Sequence, residues 1–194
     1  EQYDFVSSFG TTQADHSWAR EIDGSAIWSI CTNPSPVGAN TIGMFSGYAP
    51  TPDFSSEAGF YAGGLDVFIN VPAGYEVRYT TDGYAPNAGS ILYSGAINIS
   101  TTTVLRAITI DLSNNQAPSF IETNTYFTGG DSHTIPAVSV SGDGQEDGSW
   151  PGGGDEPMHI EFFNTDGTFR VEATGDSNEH GNDSNAYGQR GFDY

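Results

Sequence analysis

The sequence contains no lysine, a single cysteine and only five basic residues, all of them arginine: Arg20, Arg78, Arg106, Arg170 and Arg190. Chemistry that needs an ammonium group, whether a Schiff base or a lysine on a nucleotide phosphate, cannot be completed by this chain. Against the five bases stand 25 acids, for a formal net charge of -20. Phosphate backbones are held by clustered bases, so nucleic acid is excluded as a partner. The lone Cys31 has no partner for an intramolecular disulfide, and its setting, IWSICTNP, reads as that of a small buried hydrophobe. No apolar run reaches about 18 residues, so no membrane-spanning helix is expected. The opening, EQYDFV, reads as the interior of a longer chain.

What is present is glycine, proline and aromatic residues: 25 Gly, 10 Pro and 13% aromatics. Such a mixture favours short strands joined by tight turns and disfavours long helices. Strand candidates at 3–7, 16–20 and 26–31 precede TNPSPVGAN, whose two prolines end any sheet pairing. The stretch 41–54 reads as a linker. From Leu65 the alternation is clearest: LDVFINV, then EVRYTTDG, whose Asp82-Gly83 is a turn signal, then ILYSG, AINIS, TTVLRAITI and SFIETNTYF. About seven strands at such spacing predict an all-β, antiparallel β-sandwich of immunoglobulin-like type. In TTVLRAITI, the residues Val104, Ala107 and Ile108 are expected to mark the buried face. Further on, MHIEFFN and GTFRVEATG flank the turn NTDG and predict a C-terminal hairpin.

Three blocks resemble known families. Residues 3–40, with Ala14-Asp15-His16-Ser17-Trp18, the turn Asp23-Gly24, Trp28 and Asn33 to Asn40, resemble the closing strands of a lamin-tail-type domain. Residues 59–128 resemble the Ig-like domain at the C-terminal end of chitobiases and β-hexosaminidases. That resemblance is carried by Arg78-Tyr79-Thr80-Thr81-Asp82-Gly83, Pro86, Leu92-Tyr93-Ser94-Gly95 and Thr103-Val104-Leu105-Arg106-Ala107. Residues 132–194 resemble the first strands of a CotH-type kinase domain and its glycine-serine-basic segment, HGNDSNAYGQRGFDY. The metal-binding and catalytic acids of that family lie downstream of such strands, so no catalytic residue is expected here. The resulting division is 1–40 as the end of an incomplete N-terminal β-domain, 41–54 as linker, 55–130 as Ig-like sandwich and 131–194 as incomplete CotH-like strands.

Each candidate site has a plain structural alternative. The CotH resemblance implies that Arg190, Ser184 and Asp183 lie near a nucleotide, with Arg190 on phosphate; the alternative is a polar surface segment. Asp143, Glu146, Asp147, Asp155 and Glu156 could wrap Ca²⁺, because a hard cation takes six to eight oxygens, although no EF-hand spacing is present. The alternative is a solvated acidic loop. Trp150 and Tyr84 are candidates for stacking on polysaccharide, whereas Trp18, Trp28, Tyr61 and Tyr79 sit in alternation that suits core packing. His16, His133 and His159 are far apart in sequence, without zinc-ligand spacing. The expected function is a non-catalytic structural, adhesive or docking segment of an extracellular or cell-surface multidomain protein. Its partners would be other domains of the same protein, surface or secretion components, or polysaccharide. The alternatives are a supporting part of a CotH-like secreted kinase and a carbohydrate-binding module.

Overall fold

Alternation of apolar and polar residues, punctuated by glycine and proline, folds the chain into strands only. No helix occurs among the described residues of this computed structural model, which are 9–22, 24–35, 38–40, 42–130, 134–142, 156–180 and 191–193. The expected all-β architecture is therefore observed. Two units divide the chain: one takes 1–51, 71–76 and 109–120, the other 52–70, 77–108 and 121–194.

In the first unit, β1 (Ser17–Ala19), β2 (Ser29–Cys31) and β3 (Met44–Phe45) form a small antiparallel sheet. The stretch read as a linker thus supplies a strand. Ile30 and Cys31, consecutive in β2, are both fully buried. Tyr48 bridges Ala117, stacks on His16 at 5.8 Å and hydrogen-bonds its Nδ1 at 2.9 Å. Trp18 lies against Phe9 and donates its indole N–H to Gly10, while Arg20 sits 4.4 Å over the Trp28 ring.

The second unit holds most of a five-stranded sheet ordered β4 (Gly59–Tyr61), β10 (Glu122–Thr128), β9 (Thr103–Asp111), β6 (Tyr75–Thr80), β7 (Ile91–Leu92). β10 pairs with β9 and β6 with β7 antiparallel, whereas β4 pairs with β10 parallel. A two-stranded sheet of β5 (Leu65–Val67) and β8 (Ile97–Ile99) accompanies it. Val67, Ile69, Ile97 and Ile99 bury their side chains, as do Val77, Leu105, Ala107 and Tyr126 of the larger sheet, and these form the sandwich core.

Two expectations needed correction. LDVFINV is not one strand: β5 ends at Val67, where the Phe68 N–H turns to Ser55 Oγ at 2.9 Å and Ile69 pairs with Phe54 instead. The alternation survives this change of partner, with Val67 and Ile69 buried and Phe68 exposed. In β9 the buried residues are not confined to one face. Leu105 through Ile108 are all buried, and since neighbours in a strand point to opposite sides, both faces of this central strand are covered.

What covers the second face is the C-terminal sheet, ordered β11 (Ala137–Gly142), β12 (Glu156–Phe163), β13 (Phe169–His180), β14 (Gly191–Asp193). The expected hairpin is present: β12 and β13 pair around the NTDG turn, closed by the Gly167 N–H on the Asn164 carbonyl at 2.9 Å. Phe60 and Phe127, cross-strand partners in the five-stranded sheet, stack at 4.4 Å and meet Phe163 edge-on at 5.9 and 5.2 Å. Phe169 closes on Phe163 in turn.

Candidate functional site

Beside this aromatic cluster the two sheets meet through polar side chains. Thr123 and Thr125 of β10 alternate with Asn124, and register pairs Thr123 with Arg106 of β9. Opposite them, two rows cross the C-terminal sheet: Ser139, Glu161, Glu172 and, one step along, Ser141, His159, Thr174. Residues two apart in a strand share a face, so each row is a consequence of sequence spacing: TNT, SVS and HIE.

The contacts are specific. The Thr125 N–H donates to Glu161 Oε1 at 3.1 Å, and its hydroxyl is in close contact with Glu161 Oε2. The same hydroxyl lies 2.6 Å from Ser139 Oγ. Arg106, 4% exposed, donates Nε to Thr123 Oγ1 and Nη1 to the carbonyl of Gly83 at 2.9 Å. That carbonyl is presented by the Asp82-Gly83 turn, where Gly83 has φ 88°, a conformation that excludes most side chains. His159 binds Thr174 Oγ1 through Nδ1 at 2.8 Å and holds Nε2 3.6 Å from Glu172. Its Nε2 and the neighbouring Ser141 Oγ have no hydrogen-bond partner among the described residues.

Burial sets the protonation of this layer. Desolvation raises the pKa of Glu161, opposed by the two bonds from Thr125, and Glu161 is 1% exposed. Desolvation, then the Arg106 charge, pushes His159 down to about 4, so the imidazole is neutral at pH 7. Glu122 at the start of β10 rises to about 7, from desolvation first and then repulsion by Glu172, Asp53, Glu161 and Glu57. Burial thus shifts Glu161 and Glu122 towards the protonated form and His159 towards the neutral imidazole, around the buried Arg106 guanidinium.

Of the candidates weighed in the sequence, His159 enters this layer. Arg190, Ser184, Asp183, Asp143, Glu146, Asp147, Asp155 and Trp150 lie outside the described residues, as does His133; Glu156 opens β12. Tyr84 is half-buried and contributes its backbone, accepting from Thr80 Oγ1 and donating to Asp82. Tyr61 bonds the Glu57 carbonyl and packs against Tyr126. Cys31 is buried. No three His, Cys, Asp or Glu side chains converge on one point among the described residues. Thr125, Ser139 and Glu161 were missed because period-two polarity in a strand reads as a solvent face. The available signal was that three successive strands carry it opposite an equally apolar side.

The strand order, the Asp82-Gly83 turn and the buried Arg106 together define the central module. Residues 56–121 match the family of the chitobiase/beta-hexosaminidase C-terminal domain. No curated protein and no solved structure matches the chain. The matched span covers β4 to β9 and stops one residue before β10. The strand that completes the chitobiase-type sheet, β10, is thus also the strand that carries Thr123, Thr125 and Phe127 towards the C-terminal sheet.

Proposed function

We propose that this chain is a non-catalytic docking segment of an extracellular multidomain protein, in which the chitobiase-type module is a platform for the strands that follow it. One observation carries this reading: the outer face of β4 and β10 is not left to solvent but is occupied by β11 and β12, through Thr125, Ser139 and Glu161 and through Phe60, Phe127 and Phe163. Domains of the chitobiase C-terminal type are Ig-like accessory modules without catalytic residues, and they occur in secreted glycosidases, which supports the extracellular setting. A buried polar layer specifies one register between two sheets, because any slip leaves desolvated groups unpaired. The segments before and after the module are the remaining parts of this reading: a lamin-tail-like piece before it and CotH-like strands after it, with the acidic loop as a calcium-binding element and Arg190, Ser184 and Asp183 as the phosphate-facing segment of a kinase-like lobe.

The docking is tested by a double-mutant cycle on Phe127→Ala and Phe163→Ala. Aromatic pairs couple by about 0.5–1.5 kcal/mol beyond their buried area, so the double variant should lose less stability than the sum of the singles. Strict additivity would show that the two sheets do not pack in solution.

A second reading, polysaccharide binding, is favoured by a surface cavity of about 300 Å³ lined by Phe60, Tyr61, Thr102 and Phe127. Calorimetric titration with chitin fragments should then give heat that disappears in Tyr61→Ala; absence of heat with the intact chain would remove the reading.

A further inference from the structure

We propose that Thr125 and Glu161 are joined by an intramolecular ester, formed between the threonine hydroxyl and the glutamate carboxyl and stapling β10 to β12. The inference deepens the docking reading and rests on it, since the two strands must pack for the groups to meet. Four features of the site converge on this chemistry. Both side chains are 1% exposed, with the hydroxyl of one against the carboxyl of the other. The Thr125 N–H, 3.1 Å from Glu161 Oε1, polarises the oxygen that remains as the ester carbonyl and faces the negative charge that develops there. Ser139 Oγ, 2.6 Å from Thr125 Oγ1, holds the threonine hydroxyl in place against the carboxyl. Burial favours the neutral carboxyl, which is the form that can lose water.

The step balances without any other reactant. Thr125 Oγ1 attacks Glu161 Cδ, and its proton passes to Oε2, the oxygen the hydroxyl already faces and the one that carries the carboxyl proton. The Cδ–Oε2 bond then breaks and one water leaves; nothing is oxidised or reduced. In bulk solution such condensation is opposed by the excess of water. A buried pair held in contact meets far more often than the two groups would in solution, which favours condensation, and a dry site slows the return by hydrolysis. The composition of the chain bears on this too. A chain without lysine has no isopeptide cross-link available to it, and a single cysteine allows no internal disulfide; a hydroxyl with a carboxyl is the pairing its composition leaves.

The test is the mass of the intact, denatured wild-type chain. The expected value is below the sequence mass by one water. Arg106 and Arg170 bracket both residues, so the tryptic peptide 107–170 should carry the deficit. Chymotryptic cleavage between them should leave two linked peptides, which hydroxylamine separates. Thr125→Val should have the full mass of its own sequence. A wild-type chain of full mass would overturn the ester, and so would a one-water deficit mapping to a cyclised Glu1 or to a succinimide at an Asp-Gly step. Either failure leaves the docking reading to be judged by the Phe127–Phe163 cycle, which does not depend on the bond.

Discussion

Glu122 and His159 sit at the margins of the buried layer, and their opposite shifts set how its stability responds to pH. Glu122 has a folded pKa of about 7 against an ordinary 4.5, so between those values the folded chain holds the proton more tightly and stability falls as pH rises. Glu172 is displaced in the same direction by desolvation. His159 has a folded pKa of about 4 against 6.5, so in that interval the unfolded chain takes up the proton first and stability falls as pH drops. The two effects oppose each other between 4.5 and 6.5, and the Glu122 effect continues alone up to about 7. Thermal melting should therefore give a higher midpoint at about pH 5 to 6 than at about pH 8. Glu122→Gln should flatten the fall above pH 6.5 and, by removing the opposing effect, steepen the fall as pH drops from 6.5 towards 4.5; a variant with the wild-type slope above pH 6.5 would remove Glu122 as its source.

At the scale of elements, the β12–β13 hairpin depends on one glycine for two reasons. Gly167 has φ 82°, and a Cβ there would meet the Phe60 ring at 3.1 Å. Gly167→Ala should cost about 1–3 kcal/mol, read from chemical denaturation; a loss under about 0.5 kcal/mol would mean that Phe60 does not rest on this turn. This hairpin was legible in the sequence, because NTDG between two alternating runs is a local signal. So were β6 and β9, where alternation and the Asp82-Gly83 turn agree. What the sequence did not disclose was the covering of the second face of β9 and β10. The pattern ETNTYF records that Thr123 and Thr125 point away from Asn124 and Tyr126, but nothing local says that Ser139 and Glu161 will lie opposite them. Period-two polarity registers a face and not its partner. The parallel pairing of β4 with β10 was hidden for a similar reason, since it joins strands about sixty residues apart, and residue type does not encode strand direction at that separation. The calcium and nucleotide candidates remain proposals, because their residues fall in acidic and glycine-rich stretches whose pattern fixes no register.

For the whole molecule, a charge of -20 opposes bringing acids together, yet the second unit buries Glu161 and half-buries Glu122. Hydrogen bonds and desolvation resolve this: Glu161 accepts two bonds from Thr125, and burial shifts both acids towards the protonated form. The central claim is that the chitobiase-type sheet and the C-terminal sheet fold as one cooperative body. Native-state hydrogen exchange tests it most directly, because groups that open together share one opening free energy. The amides of Thr123–Phe127 in β10 and those of Met158–Phe163 in β12 should show matching protection and lose it together as denaturant is added. Strong protection in β10 alongside rapid exchange throughout β11, β12 and β13 would contradict the account.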